Sequence, residues 1–87
     1  MNKLRIELEI EAKNRITYKL IFLCDSQQFI VNAEESLLNR HSVILVGGIQ
    51  VDSVVWSRLC YNLYTSLTKS QILKFTQLYK ELCQTES

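Results

Sequence analysis

From Lys3 to Ala12 every second residue is apolar: Leu4, Ile6, Leu8, Ile10 and Ala12 alternate with Lys3, Arg5, Glu7, Glu9 and Glu11. A period of two is the pattern of a strand with one face on a core and the other in water. The following "ITYKLIFLC" is rich in β-branched and aromatic residues, and the polar "KNR" between the two runs predicts a hairpin. A one-residue slip would send every side chain to the wrong face, so the pattern also constrains register. A three-residue loop, Lys13-Asn14-Arg15, sorts the faces, pairing Ala12 with Ile16, Ile10 with Tyr18, Leu8 with Leu20, Ile6 with Phe22 and Leu4 with Cys24. It sets Glu9 opposite Lys19 on the outer face, where Ile21 and Leu23 also fall.

Farther on, "DSQQ" reads as a turn, "FIVN" as a short strand, and "AEESLLNR" as a short helix whose first turn carries Glu34 and Glu35. "SVILV" lacks alternation and predicts a strand buried on both faces, for a sheet of about four strands. After Gly47 and Gly48 the period changes to 3.6. Val55, Trp56, Leu59, Cys60, Leu63, Tyr64 and Leu67 then cover an arc of roughly 180° on one helix, with Asp52 or Ser53 as its cap. A second helix opens on the capping-box pattern Thr68-Lys69-Ser70-Gln71, and its residues Ile72, Phe75, Leu78, Tyr79, Leu82 and Cys83 cover roughly 140°. Leu73 lies outside that arc. The expected fold is α+β: an antiparallel sheet of about four strands, with an N-terminal β-hairpin, packed against a C-terminal two-helix hairpin. It forms one domain over residues 1–87, with residues 84–87 as a frayed tail and no linker or repeat.

Ten basic against nine acidic side chains, spread evenly along the chain, argue against a polyanion partner held by charge alone. Cys24, Cys60 and Cys83 are odd in number and widely spaced, as expected of reduced core thiols in the cytoplasm. The opening residues alternate charged and apolar, unlike a signal peptide, and no apolar run approaches the roughly 18 residues of a membrane span.

No catalytic constellation is assembled in the sequence. A phosphate loop needs a further glycine followed by Lys and Ser or Thr, whereas "IQVDSVV" follows Gly47 and Gly48, with Asp52 there to repel an anion. The pair is therefore expected to be a bend or bulge requiring positive φ. His41 has no nucleophile or orienting carboxylate assignable from spacing, and a Cys-His pair with Cys24 or Cys60 has only weak support. One histidine and no paired-cysteine motif argue against a zinc site, and no cofactor is expected. Glu7, Glu9 and Glu11 read as solvated charge. Lys13, Arg15 and Lys19 near the hairpin tip leave a basic ribbon for nucleic acid as an alternative, and Gly47, Gly48 and His41 leave a ligand site or small enzyme as a second. Tyr18, Phe22 and Trp56 fall on core faces rather than base-stacking ones.

By elimination the chain is expected to be a non-catalytic regulatory, adaptor or inhibitor module. It would bind another protein, or itself as a homodimer, through apolar surface at Ile21, Leu23, Val54, Tyr61 and Leu73.

Overall fold

The computed structural model describes residues 2–85. The fold is α+β. Six strands run in order with two helices: β1 Lys3–Ala12, β2 Arg15–Cys24, β3 Gln27–Ser36, β4 Val43–Val46, β5 Ile49–Asp52, α1 Ser53–Tyr64, α2 Lys69–Leu82 and β6 Cys83–Thr85. The strands form two antiparallel sheets, ordered β1-β2-β3 and β5-β4-β6.

The faces of the N-terminal hairpin sort as the alternation predicts, but the partners are shifted by two. Ile10 lies opposite Ile16, Leu8 opposite Tyr18, Ile6 opposite Leu20, Leu4 opposite Phe22, and Glu7 rather than Glu9 faces Lys19. The loop is the two-residue Lys13-Asn14, with Ala12 opposite Arg15, and an irregularity between Ile10 and Ala12 restores the parity that a plain two-residue loop would lose. The other two hairpins have no such shift. Their turns, Asp25-Ser26 and Gly47-Gly48, hold φ of 49° and 68° and of 58° and 84°, the positive values whose twist matches paired strands.

Residues 33–36, expected to begin a helix, continue β3 and pair with residues 15–18 of β2. Ladder bonds to a neighbouring strand outweigh the local helical preference, and only Leu37–Asn39 forms a helical turn, of the 3-10 type. Gly47 and Gly48 do not join a strand directly to a helix. They turn β4 into β5, a strand too short to show in the sequence pattern. β4 is only partly buried along most of its length rather than enclosed on both faces. Where a frayed tail was expected from residue 84, the chain through Thr85 pairs with β4; residues 86 and 87 lie outside the described residues.

Both helix caps follow the sequence. Asp52 accepts from the amides of Val54 and Val55, at 2.9 and 3.4 Å. Thr68 and Gln71 close a reciprocal capping box at 2.9 and 3.3 Å. The core lies between the larger sheet's inner face, from Leu4, Ile6, Ile16, Leu20 and Phe22, and the helices' Val55, Leu59, Leu63 and Phe75. Trp56 stacks on Tyr79 at 5.6 Å while Tyr64 meets Phe75 edge-on at 5.4 Å, so the start of α1 faces the end of α2 and the helices run antiparallel. Lys74 ties α2 to the β2–β3 turn through Asp25 at 2.5 Å.

Candidate functional site

Because residues 33–36 are strand, their alternation turns Ala33 and Glu35 inward and leaves Glu34 outside. Glu35 is 8 % exposed. Its Oε1 accepts the Tyr18 hydroxyl and lies 3.3 Å from Arg40 Nη2, which is also 3.3 Å from the Gln50 carbonyl oxygen. Burial pushes the Tyr18 phenol far above its ordinary value, the Glu35 carboxylate adds to the rise, and Arg40 partly opposes it. A phenol so raised stays protonated and serves as a donor. Glu35 Oε2 and Arg40 Nε are buried with no hydrogen-bond partner. The cluster joins β2, β3, the segment after β3 and β5.

Beside it lies a cleft of about 250 Å³ lined in part by Glu34, Glu35, His41, Asp52 and Arg58. His41 Nδ1 is 3.4 Å from Asp52 Oδ2, which supplies the orienting carboxylate that spacing could not assign. That carboxylate is already engaged, since Asp52 accepts the His41, Val54 and Val55 amides. Burial pushes its carboxyl upward, but these amide bonds and the nearby imidazole more than offset that and hold it below the usual range. No thiol joins the pair. Cys24 lies at the far end of β2 from Ile16 and Glu35, its Sγ 3.6 Å from Asp25 Oδ2, and burial pushes the Cys60 thiol up to about 12. All three cysteines are free. Thiols raised this far are weak nucleophiles at neutral pH. No group of three or more metal-ligating side chains is found among the described residues.

The glycine pair has the positive φ expected of it, and the Gly47 amide donates to the Leu82 carbonyl at 3.2 Å, so it is not turned toward an anion. Of the basic trio, Arg15 pairs with Glu34 at 3.4 Å, Lys19 stands across from Glu7, and Lys13 is exposed in the turn. The acids interrupt the ribbon that a nucleic acid would need.

The apolar residues singled out in sequence do not converge on one patch. Leu23 is on the sheet's outer face; Val54 and Tyr61 are seven residues apart on exposed positions of α1; Leu73 stands on α2. Ile21 is only 5 % exposed, covered where Lys3 and Arg5 line the same outer-face depression. The residues the sequence reading missed are Leu8 and Ile10. They share the inner face with Leu4 and Ile6, which are buried, yet Leu8 is 42 % and Ile10 60 % exposed. β1 is an edge strand, bonded among the described residues to β2 alone. No helix among the described residues is long and apolar enough to cross a membrane. The chain matches no protein-family model, and no curated protein or solved structure is detectably similar to it.

Proposed function

We propose that the chain is a non-catalytic protein-binding module, regulatory or adaptor in kind, that works in the cytoplasm through the free edge and uncovered apolar end of β1. The observation that carries this reading is the exposure of Leu8 and Ile10 on an unpaired strand edge. Edge strands with apolar side chains invite another strand to add to them. In the competing cleft Asp52 is engaged by backbone amides, Glu34 pairs with Arg15, and Glu35 Oε1 is met by Tyr18 and Arg40, so none of the three carboxylates stands beside a free nucleophile. Three free thiols suit a reducing compartment.

The test is retention on the immobilised chain from a host extract to which an untagged copy of the chain has been added. A protein, or that copy, held by the wild type and lost from a Leu8→Lys, Ile10→Lys variant is the expected result. Equal retention by both, or by neither, overturns the reading.

A further inference from the structure

We infer that the partner of the β1 edge is a second copy of this chain, joined in antiparallel register about a two-fold axis at Ile6. This rests on the reading of β1 as the binding edge and goes further in naming the occupant and the pairing. The outer face of β1 is ordered by sign: Lys3 and Arg5 first, then Glu7 and Glu9. All four are exposed. A strand with one sign at each end of the same face is complementary to itself when reversed.

The register follows from the charges. With Ile6 opposite Ile6, Lys3 meets the partner's Glu9 and Arg5 meets the partner's Glu7, and the two-fold repeats both pairs. Moving the axis to Glu7 sets Glu7 against itself, and moving it to Arg5 sets Arg5 against itself. Moving it to Leu8 opposes Glu7 to Glu9, and moving it to Leu4 opposes Lys3 to Arg5. Like charges directly opposite one another destabilise a strand pair, so only the Ile6 register avoids them. The same register serves the apolar face. Leu8 comes to lie opposite the partner's Leu4, and Ile10 diagonal to it, within reach of apolar contact. The two three-stranded sheets then join into one continuous sheet, and the unpaired backbone of both edges is satisfied.

Within one chain Arg5 Nε already lies 3.3 Å from Glu7 Oε1, both side chains about half exposed. A surface pair of this kind contributes little, so exchanging it for a cross-strand pair opposes assembly only weakly. An edge-to-edge contact is small, and the dimer is expected to dissociate on the order of micromolar concentrations.

The experiment is sedimentation equilibrium with a charge exchange between copies. The wild type should move from 10.2 kDa towards twice that mass as concentration rises. Arg5→Glu alone and Glu7→Arg alone each oppose like charges at two places, and each should weaken the dimer at least about tenfold. An equimolar mixture of the two variants restores opposite charges across the axis, and a heterodimer of near wild-type affinity should form. Lys3→Glu with Glu9→Lys provides a second, independent exchange should either first variant fail to fold. A wild type that stays monomeric to millimolar concentration overturns the self-pairing; extract retention that depends on Leu8 and Ile10 would then survive on its own. A dimer that neither single variant weakens, or that mixing does not restore, overturns the register while leaving self-association in place.

Discussion

One row across the larger sheet sets Ile10, Ile16 and Glu35 side by side on the same face. The glutamate is the buried end at 8 % exposure and the isoleucine the open end at 60 %. Hydrophobicity alone would order them the other way. What decides is which edge strand the helices cover: α1 lies along β3, while Leu8 and Ile10 of β1 stay exposed. Glu35 tolerates burial because Tyr18 and Arg40 meet one of its oxygens, and Ile10 tolerates exposure because one apolar side chain in water costs little.

The row can be broken hardest at its polar end. Arg40→Leu leaves the Glu35 carboxylate buried without its counter-charge, and an unfolding free energy lower by about 3 kcal/mol is expected from urea titration, the low end for such pairs because Arg40 is partly exposed. Adding Glu35→Leu to that variant should recover part of the loss, a non-additivity that distinguishes a charge pair from two independent contacts.

Asp52 tests whether the rest of the cleft is structural like the Glu35 end. Asp52→Ala removes a cap and a buried acceptor and should cost about 2 kcal/mol, whereas Asp52→Asn keeps most of the cap. The folded carboxyl titrates below its unfolded value of about 3.9, so its contribution is complete above that pH and is lost as pH falls through the lower folded value. Acid unfolding of Asp52→Asn should therefore depend less on pH below about 4 than that of the wild type.

Gly47→Val or Gly48→Val should cost about 1–2 kcal/mol from φ strain alone, since a Cβ at either position meets nothing within 4 Å. The loss should appear in thermal midpoint and leave retention at β1 unchanged. Smallest is the open end of the row: Ile10→Thr should shift the stability of the isolated chain by no more than about 0.5 kcal/mol, measured at concentrations too low for pairing. A loss of 2 kcal/mol there would mean that Ile10 is buried within its own chain, and the contrast with Glu35 would collapse.

What the sequence made legible was whatever depends on neighbours along the chain. The alternation of β1, the apolar arc of α1, the Asp52 cap and the Thr68 capping box each rest on spacings of a few residues, and each is found in place, except that Leu67 lies beyond the end of α1 and Cys83, expected on the second helix, begins β6. The hairpin register was half legible, because alternation fixes which face a residue takes but not which partner it meets, and one bulged residue moves every partner. The acids of residues 33–36 suit the first turn of a helix, and only the ten-residue ladder with β2 overrides that preference. The Tyr18–Glu35–Arg40 cluster left no pattern at all: its members become neighbours only once β3 is extended to Ser36. For Leu8 and Ile10 alternation reveals an inward face without saying how far the cover above it extends.

Trp56, the only tryptophan in the chain, lies flat against Tyr79 across the seam between the two helices. Its emission is thus an optical reading of that seam. Fluorescence will follow the parting of the helices, and far-ultraviolet dichroism the loss of strands and helices together. The interval between the two midpoints measures how tightly the sheet and the helix pair melt as one body.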